Sequence, residues 1–190
     1  MNIEIEVEKY MYEYYYHGST IPNLREIKVY NSTDASSAIH ASIDPFLALI
    51  FAIPSFGQLD FDLRVVKNQY ILTERRKGFL EEYNKRGYLY CLEGRYFRPL
   101  QGSEFISNRD AKVLSCIPIE NMLQKIKEYE QAHRLVIYTY PNKPSYIPKD
   151  DKDLKAVYEA YIKANFPKTK EHVKKYFPQL LKEKEDLWSI

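Results

Sequence analysis

Hydrophobic and polar residues alternate with a period of two along several short stretches of the chain, which is typical of half-buried β-strands. The first such stretch is aromatic and predicts a strand from Met11 to His17, because tyrosine suits a pleated, half-buried surface. A second short strand is predicted from Ala38 to Ser42, and residues 59–74 predict two strands around a turn at Lys67–Asn68. Further strands are predicted at Tyr88–Leu92, Lys112–Ile117 and Arg134–Tyr140.

Other stretches carry the signals of helices. Asp44 followed by Pro45 predicts an N-cap and a first helical residue, opening an apolar helix that runs through Phe51 and is buried on most of its surface. Amphipathic or charged patterns predict further helices, each delimited by turn formers or prolines. These are a short helical turn at Asn23–Ile27, a charged helix at Lys77–Lys85 with Gly87 as its C-cap, and helices at Asn121–Ala132, Asp151–Asn165 and Thr169–Lys184.

The order of these elements predicts an α+β fold with a β-rich core. We expect one domain over residues 1–140, a proline-rich linker over 141–150, and a helical C-terminal extension over 151–190. The pattern gives no strand order.

Composition narrows the class of protein. The chain has 190 residues, of which 45% are hydrophobic and 28% charged, as in ordinary globular proteins, but its 18 tyrosines are unusually many. A net charge of +2 gives no overall drive toward nucleic acid. The two cysteines form neither a disulfide framework nor a zinc motif, so we expect a reduced, cytoplasmic protein, and without clustered ligands we expect no metal. The most apolar stretch, Pro45–Phe56, is too short to span a bilayer.

The first predicted strand ends in a chemically suggestive stretch, Tyr16-His17-Gly18-Ser19. Glycine permits a close backbone approach that a side chain would forbid, and the residues after it have turn chemistry. Taken alone, His17 is better explained as an ordinary strand-end histidine that makes one hydrogen bond.

Two further segments follow in order, His40-Ala41-Ser42 with its apolar helix, and a loop containing Pro99 and Gly102 that leads to Glu104-Phe105-Ile106-Ser107. With these three segments, the chain resembles the ADP-ribosyltransferase superfamily over about Tyr14–Ile119. The similar branch has a His-Tyr-Glu signature and includes diphtheria-type toxins and poly(ADP-ribose) polymerases.

The resemblance implies a split β-sheet core with flanking helices that uses NAD as a co-substrate. It implies that His17 hydrogen-bonds the adenosine ribose, that the Gly18 backbone holds the nicotinamide carboxamide, and that Glu104 is the catalytic carboxylate. Further cofactor-binding positions are implied nearby. They are Ser19, His40, Ser42, Phe46 and Phe51.

His40 departs from the pattern, because it stands where the family has a stacking tyrosine. Phe46 or Phe51 would supply the second aromatic ring of the nicotinamide clamp, although core packing explains both as well. From the residues alone, Ser19 and Ser42 are hydrogen-bond formers at a turn and a strand end rather than nucleophiles.

Two functions therefore stand side by side. One is an NAD-dependent ADP-ribosyltransferase that modifies a protein or nucleic-acid acceptor, and the other is an inactive module of the same fold that binds NAD or ADP-ribose. A third possibility is an RNA 2′-phosphotransferase, but the arginines and paired histidines on which such enzymes rely are not found in this sequence. A fourth is a structural or interaction module, which requires the motif matches to be accidental. Gly102, two residues before Glu104, disfavours an arginine acceptor.

The remaining polar residues have simpler explanations. Lysines and acidic residues interleave along the last predicted helices, which is typical of a solvated face. His133 and His172 lie in charged contexts and are expected at the surface.

Overall fold

A computed structural model describes residues 13–31 and 37–181 of the chain. The fold is mixed α+β, as expected, with a large antiparallel sheet and a smaller second sheet. Contacts divide the chain into two compact units. Among the described residues, unit 1 comprises 13–31, 37–54 and 83–126, and unit 2 comprises 55–82 and 127–181.

Unit 1 is built on the large sheet. Its strands are β1 (Tyr14–Ser19), β2 (Glu26–Ile27), β3 (Tyr30–Asn31), β4 (Ser37–Ser42), β7 (Gly87–Glu93), β8 (Arg98–Gln101), β9 (Glu104–Ser107) and β10 (Ala111–Ile119). They lie in the order β2-β10-β7-β1-β4-β9-β8, with β3 pairing to β4. The expected strands at Ala38–Ser42, Tyr88–Leu92 and Lys112–Ile117 are confirmed. The expected strand from Met11 is confirmed over Tyr14–His17, and its first two residues lie outside the described part of the chain.

Both faces of this sheet pack against apolar residues. On one face Tyr15 is fully buried, with its ring 4.8 Å from that of Phe97 and 4.5 Å from that of Phe105. On the other face lies α1 (Pro45–Ile50), which begins as predicted, because Asp44 caps it by accepting a hydrogen bond of 2.8 Å from the Phe46 N–H. All of its residues from Phe46 onward are buried.

Unit 2 has its own sheet and core. In it β5 (Phe61–Val66) and β6 (Gln69–Glu74) form the predicted hairpin, whose turn residues Lys67 and Asn68 both have positive φ, and β11 (Leu135–Tyr138) joins β6 in parallel. The helices are α3 (Lys152–Lys163) and α4 (Thr169–Tyr176), while α2 (Met122–Gln131) begins in unit 1 and ends in unit 2. One apolar cluster joins Leu59 to residues of both C-terminal helices. Those residues are Leu154, Tyr158, Val173, Phe177 and Leu180.

A buried cluster of ionisable side chains connects residues 55–82 of unit 2 to its C-terminal helices. Asp60 is 1% exposed and lies 2.7 Å from Arg76 Nε and 2.8 Å from His172 Nε2. Burial by itself would raise the pKa of Asp60, but its contacts with His172, the Phe56 N–H and Arg76 hold that pKa below its usual value. The expectation of a surface position is therefore wrong for His172, whose ring stacks on Phe56 at 4.0 Å, while His133 is exposed.

The structure corrects three local predictions. Glu26–Ile27 is a short strand on β10 rather than part of a helical turn, and only Leu80–Tyr83 of the expected charged helix is helical, as a 3-10 turn. Gly87 opens β7 and lacks the positive φ of a C-cap glycine, and a β-carbon there would collide with the Met122 side chain. In each case tertiary packing outweighs the local pattern.

The two units also differ from the expected domain boundaries. Residues 55–82 belong with the C-terminal helices instead of with the N-terminal core, and the division passes through α2 at residue 126 rather than at residue 140. Within the described part of the chain, no helix has the length and apolar character needed to cross a bilayer.

Candidate active site

The three motifs that carry the family resemblance lie on neighbouring strands. β4 pairs with β1 on one side and with β9 on the other, both antiparallel. Tyr16 lies opposite Ser42, and Ser42 lies opposite Glu104, so these three residues form one row across the sheet. Because directly opposed residues share a face, their side chains emerge on the same side of the sheet.

His17 lies where β1 and β4 separate. The register of the described residues records one pair between these strands, Tyr16 with Ser42, whereas β1 pairs with β7 at six positions. Beyond that pair the His17 ring bridges to β4, donating from Nδ1 to the carbonyl oxygen of His40 at 2.8 Å. A carbonyl only accepts, so Nδ1 carries the proton, and Nε2 of the neutral ring is left as an acceptor.

The environment of His17 favours that neutral form. Its ring is half-buried, and burial lowers the pKa of His17 because the protonated ring would lose hydration. The hydrogen bond to the His40 carbonyl works in the opposite direction, and the charge of the His40 ring adds to the lowering. At neutral pH, His17 therefore combines one N–H donor that is already used with one ring nitrogen that accepts.

Glu104 stands at the start of β9, immediately after a tight hairpin. Gln101 pairs with Glu104, so Gly102 and Ser103 alone form the turn, and Gly102 has a φ of +55°. The expected loop before Glu104 is in fact the strand β8, which contains Pro99, followed by this two-residue turn, and Glu104 itself has a fixed register on β9. Burial raises the pKa of the half-buried Glu104 carboxyl, and the charge of His40 acts against that rise.

His40 interacts with both of the other ionisable residues. Its charge adds to the lowering of the pKa of His17 and acts against the rise in the pKa of Glu104. It is half-buried and occupies the face of β4 that also carries Ser42, two residues along the same strand. His40 and Glu104 therefore share one face of the sheet. His17 lies opposite the buried Tyr90 on the other face and reaches β4 through the backbone carbonyl of His40.

Ser42 anchors the backbone around Glu104. Its hydroxyl donates to the Ser103 carbonyl at 2.8 Å and accepts from the Asp44 N–H at 2.9 Å. The Ile43 N–H also reaches the Ser103 carbonyl, at 3.4 Å. One buried hydroxyl therefore connects the end of β4, the capping residue of α1 and the turn that delivers Glu104.

The other expected site residues separate into packing and exposed positions. Gly18 is needed for packing. A β-carbon there would collide with the carbonyl of Ala48 on α1 and come within 2.8 Å of the Cβ of Ala52, just after that helix. Ser19 is buried and accepts from the Ile21 N–H at 3.1 Å, as a turn former does.

The two phenylalanines of the expected site, Phe46 and Phe51, differ in their exposure to solvent. Phe46 is 0% exposed and belongs to the core. A ligand at the surface cannot reach it, so its expected role in cofactor binding is not supported. Phe51 follows α1 and is 45% exposed, although its neighbours Leu49, Ile50 and Ala52 are buried. An aromatic ring exposed among buried residues is the one of the pair that a ligand could contact.

Sequence reasoning missed Tyr16 as a member of the site. Its phenol ring lies on the Glu104 side of the sheet and meets the ring of Tyr14 edge-on, with the two centroids 5.8 Å apart. The period-two alternation placed Tyr14 and Tyr16 on one face. Only the register with β4 shows that Glu104 shares that face.

Comparison with known proteins gives no match: no family model matches the sequence, and neither a curated protein nor a solved structure matches the chain. Within residues 13–31 and 37–181, no three His, Cys, Asp or Glu side chains come together in a group that could hold a metal ion. Function is therefore inferred from the geometry around His17, His40 and Glu104.

Proposed function

We propose that the protein is an NAD-dependent ADP-ribosyltransferase. The reaction breaks the bond between nicotinamide and C1′ of its ribose. Nicotinamide leaves with the electron pair of that bond, and an acceptor nucleophile bonds to C1′ and loses its proton. The proposal is supported chiefly by the position of His40 and Glu104 on one face of two paired strands, next to the point where the His17 ring bonds to the backbone of β4.

In this proposal Glu104 stabilises the transition state. Positive charge builds on the ribose as nicotinamide departs, and a carboxylate held in a half-buried position interacts with that charge more strongly than one in water. Because bound NAD carries its positive charge on the nicotinamide ring and the ribose gains that charge only as the bond breaks, the interaction accelerates the reaction more than it tightens binding. The same logic governs the carboxylates of glycoside hydrolysis.

His17 and Phe51 serve binding. The Nε2 acceptor of neutral His17 suits a ribose hydroxyl, and its Nδ1 bond to β4 fixes the ring orientation. The exposed ring of Phe51 offers a stacking surface for nicotinamide. The Gly18 backbone remains the predicted partner of the carboxamide.

The direct test is nicotinamide release from NAD by the purified chain. Glu104→Gln keeps the shape and removes the charge, so it should retain the Kd for NAD while release falls by about 100-fold or more. Glu93→Gln, which removes an exposed carboxylate at the end of β7, is the matched control and should leave release unchanged. Equal release by wild type and Glu104→Gln would overturn the assignment of Glu104.

A second candidate follows from one observation, the histidine at position 40. An imidazole has less stacking area than a phenol, so His40 would orient nicotinamide for cleavage less well than the tyrosine that the resemblance implies. The protein would then bind NAD without breaking it.

Calorimetry and His40→Tyr separate the two candidates. Binding of NAD without release in the wild type, together with release by His40→Tyr, would select the binding module. Release by the wild type selects the transferase. Absence of NAD binding in well-folded protein would remove both.

A further inference from the structure

A cluster of arginines surrounds one exposed tyrosine at the β8 edge of unit 1. Tyr96 is 42% exposed, and the guanidinium carbons of Arg95 and Arg109 lie 5.4 Å and 4.7 Å from its ring centroid. Arg98 follows two residues later, at the start of β8, the last strand in the order of the sheet. We call Arg95, Tyr96, Arg98 and Arg109 the arginine–tyrosine patch.

The positive charge of this patch is not neutralised within the described residues. All three arginines are exposed, and no carboxylate of residues 13–31 or 37–181 forms an ion pair with any of them. The nearest acid after Arg109 is Asp110, which is already engaged by Lys28 Nζ at 2.9 Å and by the Val29 N–H at 2.8 Å. Glu93 precedes the patch and is exposed.

The backbone beneath the patch is held in place. Ser107 Oγ accepts from the Arg109 N–H at 3.1 Å and donates to the Arg109 carbonyl at 2.9 Å, which fixes the turn that carries this arginine. Phe97, next to Tyr96, is 8% exposed and packs in the core of unit 1. The backbone that carries Tyr96 and Arg109 therefore needs no rearrangement on binding, which lowers the cost of binding.

These properties fit one class of partner. Exposed aromatic rings and guanidinium planes both offer faces on which unpaired bases stack, and arginines bind phosphate groups through paired N–H donors. An acidic protein would use the charges but not the aromatic face. We propose that the arginine–tyrosine patch binds single-stranded nucleic acid.

The test measures binding of fluorescent twelve-nucleotide oligouridylate and oligothymidylate by anisotropy at several salt concentrations, without NAD and in Glu104→Gln protein so that no chemistry intervenes. We expect the double variant Arg95→Gln/Arg109→Gln to bind more weakly and with a salt dependence flattened by about 0.7 per lost phosphate contact. Tyr96→Ala should weaken binding about tenfold by removing a stacking face.

Arg86→Gln is the matched control, because Arg86 is also exposed and lies over a tyrosine ring, that of Tyr88, but pairs with Glu120 at 3.0 Å. It should bind like the wild type. Absence of oligonucleotide binding, or equal binding by all variants, would overturn the proposal. Binding of polyglutamate as tight as that of the oligonucleotides and insensitive to Tyr96→Ala would assign the patch to acidic proteins instead. Since nicotinamide release is measured separately, either proposal can fail without the other.

Discussion

A half-buried carboxylate weakens a fold in the pH range where its charge is present. Glu104 is such a group, and burial raises its folded pKa above the ordinary value of 4.5. The folded protein therefore takes up this proton more readily than the unfolded chain. The resulting stabilisation is present below pH 4.5 and is lost as pH rises through the folded pKa.

Glu104→Gln removes this titration. We expect the variant to gain stability relative to the wild type as the pH rises above 4.5, and the gain to level off once Glu104 is ionised in the folded wild type. Urea unfolding of both proteins from pH 4 to pH 8 checks this. A difference in unfolding free energy that is the same at every pH would contradict it.

The pKa shift of His17 has the opposite sign to that of Glu104. Burial lowers its folded pKa below 6.5, so the stability it contributes is present above pH 6.5 and is lost as pH falls through the folded pKa. His17→Asn keeps an N–H that can donate to the His40 carbonyl but does not titrate. We expect its Tm to fall less than that of the wild type between pH 8 and pH 5, and its nicotinamide release to drop. Parallel Tm curves would refute the titration argument.

Gly18 has a packing role that can be isolated. A methyl group there meets the backbone of α1, which cannot rotate away, so Gly18→Ala should cost about 3 kcal/mol of unfolding free energy. Gly78→Ala is the control, because a β-carbon at Gly78 would have no atom within 4 Å and the φ of +80° costs only about 1–2 kcal/mol. Denaturant unfolding measures the loss of stability in both variants. An equal loss would show that α1 shifts to make room for the methyl group at position 18.

At the scale of elements, Ser42 connects the end of β4, the start of α1 and the turn before β9. Ser42→Ala should cost about 1–2 kcal/mol of stability, because two backbone groups lose a partner. It should also lower nicotinamide release about tenfold without changing the Kd for NAD, since Glu104 loses its fixed position.

Ser107→Ala is the control for that prediction. Ser107 is also buried and its hydroxyl also makes two hydrogen bonds, but to the backbone of Arg109 at the far end of β9. A similar loss of stability with unchanged release is expected. If both variants lose release equally, Ser42 has no particular role in positioning Glu104.

Elements with strong local signals were predictable from the sequence. Asp44-Pro45 and the Lys67–Asn68 turn carry their own stereochemistry, so α1 and the β5–β6 hairpin follow from a few neighbouring residues. The charged stretch at residues 77–85 has helical propensity, but in the structure its backbone is engaged by tertiary contacts: the Leu80 N–H donates to the buried Glu74 carboxylate. Such a partner, six residues away, cannot be recognised from periodicity.

The site was predictable only as a set of residues. The motifs named His17, His40 and Glu104, but their adjacency depends on β4 pairing with β1 and β9, which no local pattern specifies. Tyr16 was missed for the same reason. Phe46 and Phe51 were equivalent in sequence, and only burial separates them.

At the scale of the whole molecule, the ion cluster at Asp60 should decide how unit 2 unfolds. Asp60→Ala removes the buried carboxylate that contacts both Arg76 and His172 and leaves Arg76 only its ion pair with the more exposed Glu82, so we expect a loss of about 3 kcal/mol. Hydrogen exchange should show residues 55–82 and 127–181 losing protection together, because they form one unit.

Asp150→Ala, which removes an exposed partner of Lys152, should cost less than about 1 kcal/mol. Protection that is lost in residues 127–181 while residues 55–82 keep theirs would show that the C-terminal helices are an independent extension, as the sequence alone predicted.

The interrupted course of unit 2 has a consequence during synthesis on the ribosome. The β5–β6 hairpin can close as soon as it emerges, because its pairing is local. Leu59, however, must wait for Leu154 and Val173, which at ordinary translation rates are made roughly 5–20 s later. For that interval the nascent chain carries an apolar surface whose cover has not yet been made, and this is the stage at which it most needs a chaperone.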